Sequence, residues 1–438
     1  MNIKSFVYKL TPPYFRHVHR ARKVYDSIAK DLTEIERTCC LALERNRAKI
    51  KRGERIKVAF LHMYATEIQD LNLYDQMLSS PYFDPYFVVI PVFYCGRDQQ
   101  HLVYNYNRTL RELTDKYGSS RVLSGYNVQT QECIDYTDRF DLASTNTPYD
   151  DLTEDCFKSR YWASKGIPVF YIPYFYMGLC RVTKENLQMV DFNFFWKVFV
   201  PNHFTKSLAK EYMANKGKNL MVTGYPKLDK ISSVVNPPGR KLVIIAPHHL
   251  IGDSVLDRGG FREYAKFLQN LPSKYPQVDF IFRPHPQLFV TLKKYWSEDE
   301  IDRWLSQFLM NENVTFSIEG DYLQLLATSD ALIHDCGSFV AEYLYFNKPC
   351  AYIFREGVDY QAMQLKLGLR CMDVYFPIKE EKDWFQFIEE VVLGGKDVRK
   401  DRREAFAKKH IMVNHPHATQ AIYDTIVEEV TGRNECRY

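Results

Sequence analysis

Two short stretches carry the residue types that phosphate chemistry needs, each at the end of an apolar run. In RPHPQL (283–288), Arg283 and His285 follow the run VDFIF, and Pro284 and Pro286 stiffen the backbone on either side of the histidine. An imidazole held there can donate to a phosphate oxygen or move a proton near pH 7. A guanidinium fork matches a phosphate edge; the plainer alternative is a turn histidine beside a surface arginine. In HDCGSFVAEYLYFNKP (334–349), the run ALIHD ends at Asp335, Gly337 adds backbone freedom and Ser338 suits a helix N-cap. The amides of a helix start cradle phosphate. Glu342, one turn below Ser338 on the same face, is placed to accept hydrogen bonds from a ribose. A capped structural helix with a surface glutamate is the competing reading.

Other polar residues stand at similar positions. APHHLIGDS (246–254) puts His248 and His249 after the run KLVIIA, where one ring is expected to face a ligand and the other to point away. Metal binding by that pair alone is disfavoured, because adjacent histidines need further ligands that the spacing does not supply. LHMYATE (61–67) sets His62 and Glu67 after the first strand-like run. VTGYPKLD (222–229) turns at Gly224 and Pro226, a bend more often structural than catalytic, with ligand contact left open. YIPYFYMG (171–178) clusters tyrosines as a core would, and at His203 and Thr205 capping alone explains the threonine. No GxGxxG or Walker loop occurs, which argues against ordinary dinucleotide or ATP-loop chemistry. The ten cysteines show no Cys-x-x-Cys pair and no zinc spacing, so they are expected reduced and structural.

The elements that position these residues come in two series. Strand-like runs at 57–61, 87–92, 140–144, 168–172, 196–200 and 219–222 alternate with helical stretches such as 204–214. A second series at 241–246, 278–283, 314–318, 331–335 and 349–354 alternates with helices near 260–271, 288–308, 321–328 and 338–346. Such alternation predicts parallel sheets covered on both faces, whose ligands sit beyond the carboxyl ends of the strands. The expected fold is α/β: two Rossmann-like doubly wound domains facing a central cleft, behind a basic helix. The boundaries read as a helical extension at 1–55, a first domain at 56–231, a second at 240–415 and a closing helix at 416–438 that could pack back on the first domain. SSVVNPPGRK (232–241) reads as the linker.

The chain is 46% hydrophobic and 26% charged, which excludes extensive disorder. No stretch approaches the ~18–20 apolar residues that cross a bilayer, and Pro12, Pro13 and arginines stand where a signal peptide needs its apolar segment. A soluble intracellular protein is expected. Residues 1–57 hold 15 Lys/Arg against 6 Asp/Glu, while the whole chain is only +4, so the remainder is mildly acidic. Within that segment Val24, Ile28, Leu32, Ile35, Cys39 and Ala42 form a helical stripe. An anionic membrane surface would attract the charges and admit the stripe; packing of the stripe on the body of the protein explains it equally. Nucleic acid is not the expected partner of a mildly acidic body that lacks a basic aromatic platform.

VTGYPKLD, RPHPQL and ALIHDCGSFVAEYLYFNKPCAYIF, in that order and spacing, resemble the CDP-glycerol glycerophosphotransferase family of teichoic-acid and capsule biosynthesis. The opening IKVAFLHMYATEIQD…LSSPYFDPYFVVIPV is similar too, so the resemblance spans roughly residues 56–420. It implies a GT-B fold, no metal, and no cofactor beyond a CDP-linked donor as substrate, bound to the second domain. His285 would match the family's His-Pro histidine at the donor diphosphate. Asp335, Ser338 and Glu342 would match its Asp-x-x-Ser and following acid, at phosphate and ribose. The implied acceptor is a glycan or lipid-linked polymer, met at the inner face of the cell membrane.

The chain departs from the family in two places. YIPYFYMG lacks the histidine of the family's Trp-His-Gly-type motif, and Pro-His-His-Leu stands where the family usually reads Pro-Thr-x-Arg. His248 or His62 is the candidate replacement base. An acceptor hydroxyl would then attack the distal phosphorus of a CDP-alditol, with His285, Arg283 and the helix start at Ser338 stabilising charge and CMP leaving. Rival readings are an inverting nucleotide-sugar glycosyltransferase on the same fold, a non-catalytic membrane-associated scaffold and, less well supported, a nucleotide-sugar 2-epimerase.

Overall fold

The computed structural model describes residues 13–64, 69–93, 99–232, 234, 239–254, 257–318 and 322–432. The chain forms two units: Met1–Met177 with Val182–Asp229 and Val413–Tyr438, and Gly178–Arg181 with Lys230–Met412.

In the first unit, β1 (Ile56–His62), β2 (Phe83–Val89), β3 (Val122–Ser124), β6 (Leu142–Thr145), β7 (Val169–Tyr171), β8 (Lys197–Val200) and β9 (Leu220–Val222) form one sheet. Its order is β3-β2-β1-β6-β7-β8-β9, and all its pairings are parallel. A short ribbon of β4 (Tyr126–Asn127) and β5 (Glu132–Cys133) stands apart. Burial explains the strand composition. Every residue of IKVAFLH but Lys57 is buried, as helices on both faces of a parallel sheet require.

The basic helix spans Pro13–Lys51. Its stripe turns inward: Ile28, Leu32, Ile35 and Cys39 pack with Ala163, Phe194 and Ala214. That apolar face is spent on the body of the unit and is not open to a bilayer. The closing helix, Ala418–Thr431, lies in the same unit, with Ile422, Ile426 and Val430 in the core that holds Phe83 and Phe87. Asp229 fastens its start by accepting the Thr419 amide and hydroxyl, both at 2.6 Å.

In the second unit, β10 (Lys241–Ala246), β11 (Val278–Phe282), β12 (Val314–Phe316), β13 (Ala331–His334), β14 (Cys350–Ile353) and β15 (Phe376–Ile378) form a parallel sheet ordered β12-β11-β10-β13-β14-β15. Phe261, Phe282, Trp304 and Phe308 anchor the core on one face.

Three details differ from the sequence expectation. The helix near 288–308 is two helices, Leu288–Leu292 and Glu298–Leu309, because Ser297 and Glu300 form a capping box that starts a new one. The stretch 338–346 is a four-residue α-helix, Phe339–Glu342, then a 3-10 turn to Phe346 before left-handed Asn347. The unexpected strand β15 contains Pro377 and lies at the sheet's edge, where a missing amide breaks no ladder. Among the described residues no helix is long and apolar enough to cross a membrane.

Candidate active site

The central strands of the second unit run out level with one another. Ile245 pairs with Phe282 and Ala246 with His334, so the segments after β10, β11 and β13 leave at one edge. Backbone pairing continues beyond the strands: the Arg283 amide donates to the Ile245 carbonyl and the His285 amide to the Pro247 carbonyl, each at 2.9 Å. This pairing gathers the rings of His248, His249 and His285, whose centroids are 4.4, 5.2 and 4.0 Å apart pairwise. The two adjacent histidines therefore do not diverge. Both join His285.

Hydrogen bonding sets the chemistry of these rings. The Leu250 amide donates to Nδ1 of His248, and the Gln287 amide to Nδ1 of His285, both at 3.1 Å. A neutral imidazole that accepts at Nδ1 carries its proton on Nε2. Burial, then the nearby Arg258 charge, holds His248 well below the ordinary histidine range and lowers His249. Burial and His249 bring His285 to about 4. At neutral pH, His248 and His285 are thus uncharged Nε2–H donors. The one free lone pair of the neutral His248 ring is engaged by the Leu250 amide, which disfavours His248 as the acceptor base.

The three rings place ligand nitrogens within 4.8 Å of one another, a spacing at which a metal could bind. The proton pattern does not suit one. A metal on Nε2 wants the partner Nδ1–H to donate outward, yet two of the Nδ1 atoms already receive an amide hydrogen.

Asp335 is fully buried, and its carboxylate accepts the His248 amide at 2.6 Å, the Gly260 amide at 2.9 Å and the Tyr264 hydroxyl at 3.4 Å. Burial pushes it up to about 7 despite those donors. Through these bonds it anchors the histidine loop, a role the sequence did not suggest. Gly337 supplies room, since a Cβ there would stand 2.7 Å from Nη1 of Arg258. The Ser338 side chain makes no capping bond. Burial raises the neighbouring Cys336 thiol to about 11. Glu342 is 1% exposed and lies 3.1 Å from the Tyr322 hydroxyl through each oxygen, because its face of the helix turns into the unit. Arg283 donates to Ser317 Oγ at 2.7 Å, with its guanidinium 5.9 Å from the Tyr322 ring.

In the first unit, His62 ends β1 at 1% exposure, with Nε2 3.1 Å from the Asp70 carboxylate. Its Nδ1 has no partner among the described residues. Glu67 lies outside the described residues. Gly224 has φ +95°, and a Cβ there would stand 2.1 Å from the Val413 carbonyl oxygen. That glycine lets the returning chain lie against the turn, the structural duty that the bend suggested. Asn202 caps the helix at His203, accepting the Thr205 amide at 2.8 Å.

Sequence reading passed over His249 as a site residue and Arg258 altogether. The available signal was the glycine pair after Arg258. A Cβ on Gly259 would stand 2.9 Å from the carbonyl oxygens of His248 and Leu250, so only a bare backbone lets this loop fold onto the histidine pair.

Solved structures share the fold. A variant of the wall teichoic acid polymerase TagF matches with TM-score 0.53 at 13% identity, over 99% of each chain. The same polymerase soaked with CDPG matches with TM-score 0.53 at 14% identity, over 96% of this chain and 98% of that one. A Listeria monocytogenes protein described as a UDP-N-acetylglucosamine 2-epimerase matches with TM-score 0.51 at 11% identity, over 87% and 98%. These likenesses support the expected α/β GT-B class. No curated protein sequence matches the chain. A family model, CDP-Glycerol:Poly(glycerophosphate) glycerophosphotransferase, covers residues 177–428, more than half of the chain, with both the β11 and β13 strand ends inside it. The chain belongs to this glycerophosphotransferase family.

Proposed function

We propose that the second unit binds CDP-glycerol through its diphosphate at the His248–His249–His285 cluster and that the enzyme transfers glycerol phosphate to a glycan or lipid-linked teichoic-acid-type acceptor. The observation that carries this reading is the paired Nε2–H tautomer of His248 and His285, which makes both rings hydrogen-bond donors at the sheet's ligand edge. An acceptor oxygen bonds to the distal phosphorus, the bond from that phosphorus to the CMP oxygen breaks, and the two donors meet the charge that builds on CMP. The acceptor's proton needs a general base, and the candidate in the first unit is His62, whose buried Nδ1 keeps a lone pair while Asp70 holds the ring through Nε2. The exposed cationic side chains Arg22, Lys23 and Lys30 of the basic helix support docking on the anionic inner face of a membrane by charge alone, now that its stripe is packed.

Incubation with CDP-glycerol and a poly(glycerophosphate) primer tests the reaction. CMP release in step with primer growth is expected. Release of CDP, or no turnover, would defeat it. His285→Ala should weaken donor binding, whereas His62→Gln should lower kcat at unchanged donor affinity. A His62→Gln enzyme of normal turnover would move the base elsewhere.

A further inference from the structure

Neutral imidazoles give the cluster donors but no formal charge, while a diphosphate carries more than one negative charge at neutral pH. We infer that Arg258 is the diphosphate-binding cation of this site, closing the histidine cluster from the side of Gly337; this rests on the donor-binding reading above.

Arg258 comes to the cluster from the loop between β10 and the helix Phe261–Lys274. Its charge is felt by both His248 and His249. Nothing charged claims it: it makes no salt bridge among the described residues, and its buried Nε has no hydrogen-bond partner. Gln364 is a neutral neighbour, with an amide oxygen 3.3 Å from Nη1 when the amide nitrogen donates to the Leu179 carbonyl. Asp335 feels the Arg258 charge, but its carboxylate oxygens are occupied by the His248 and Gly260 amides.

The neighbouring arginines are engaged elsewhere. Arg355 pairs with Glu263 at 2.8 Å, and Arg262 with Asp253 at 2.8 Å. A half-buried guanidinium left with an unmet donor is costly. Its planar fork fits two oxygens of a phosphate edge. Gly337 completes the arrangement: its missing Cβ is the space that Nη1 fills.

Titration calorimetry with inorganic pyrophosphate and with CDP tests the assignment on wild type, Arg258→Gln, Arg258→Lys and Gly337→Ala. Wild type should bind both probes. Arg258→Gln should weaken both by roughly ten- to a hundredfold, the worth of one or two charge-assisted hydrogen bonds. Arg258→Lys should recover part of that loss. Gly337→Ala, which keeps the arginine but pushes its flexible end aside, should weaken both probes with little change in thermal stability.

Wild type that ignores pyrophosphate, or an Arg258→Gln protein that binds within about twofold of it, overturns the assignment. If Arg258→Gln fails to fold, Arg258→Lys and Gly337→Ala decide, and normal affinity in both overturns it too. Pyrophosphate binding through Arg258 without turnover of CDP-glycerol would sink the transferase reading alone. Normal turnover by Arg258→Gln would sink this inference alone.

Discussion

Asp335 accepts the backbone amide of His248 at 2.6 Å, so a carboxylate at the end of one strand fixes the imidazole-bearing loop at the end of its neighbour. The same carboxylate reaches Gly260 at 2.9 Å, two residues beyond Arg258. One buried group thereby sets both the histidine pair and the arginine relative to the sheet. Its burial makes ionisation expensive, and the amides it satisfies are what the fold gains in return.

Replacing Asp335 by alanine strips two buried amides of their acceptor. The expected cost is about 2–4 kcal/mol, with weaker pyrophosphate binding because the loop that carries His248 and Arg258 is no longer held. Asp335→Asn keeps one acceptor oxygen and should fall between alanine and wild type in both respects. Denaturant unfolding and calorimetry on the three proteins check this. Equal stability of the alanine variant would show that the amides find another acceptor.

With Nδ1 of His248 and of His285 each receiving an amide hydrogen, zinc has no proper place among the histidines. Dialysis against zinc ions should leave no stoichiometric metal whose retention depends on His249 or His285, and chelators should not slow the wild-type enzyme. One zinc per chain, lost in His249→Ala, would mean that the Leu250 and Gln287 amides give up their Nδ1 acceptors, and the donor role of these rings would fall with it.

Gly224→Ala separates scaffold from site. A Cβ at φ +95° would meet the Val413 carbonyl oxygen at 2.1 Å and the Ala418 Cβ at 2.9 Å, and neither is a flexible tip. The first unit should lose about 2–4 kcal/mol, while pyrophosphate affinity, measured where the protein is still folded, should hold. Selective loss of donor binding with full stability would restore Gly224 to the ligand site.

What the sequence made legible was the scaffold and the strand ends. Apolar β-branched runs alternating with helices are a local pattern, so β10, β11 and β13 and the positions of His248, His285 and Asp335 could be placed without coordinates. Direction was not legible. Whether Asp335 faces a ligand or the interior depends on the His248 and Gly260 amides, both more than seventy residues away in the chain. Helical spacing and the family resemblance both suggest a ribose acceptor at Glu342, but neither reports the Tyr322 hydroxyl that lies 3.1 Å from its carboxylate. Beyond the glycine pair that follows it, nothing in the sequence marks Arg258, because its place depends on space at Gly337. The basic stripe was ambiguous for the same reason: periodicity reports an apolar face and not what covers it.

The histidines make the second unit acid-sensitive, and His334 offers the cleanest test. Burial takes His334 to about 3 and His285 to about 4, and holds His248 well below its ordinary range. Each binds a proton more readily unfolded than folded, so its contribution is complete above the unfolded value near 6.5 and is lost as pH falls toward the folded value. Asp335, raised to about 7, acts oppositely and favours the folded state as pH drops below 7. With His249 and His410 lowered as well, the histidines outnumber the one raised carboxyl, so stability should decline from about pH 6.5 downward. Near pH 5 a histidine titrating below that point contributes about 2 kcal/mol to the decline. His334→Asn keeps a side-chain acceptor for the Cys336 amide, now held by Nδ1 at 3.2 Å, and removes the titration. Urea unfolding of the two proteins at about pH 7.5 and about pH 5 should show a smaller acid penalty in the variant by roughly that amount. An unchanged penalty would mean that His334 takes up its proton without unfolding, and that the interior beneath the site admits water.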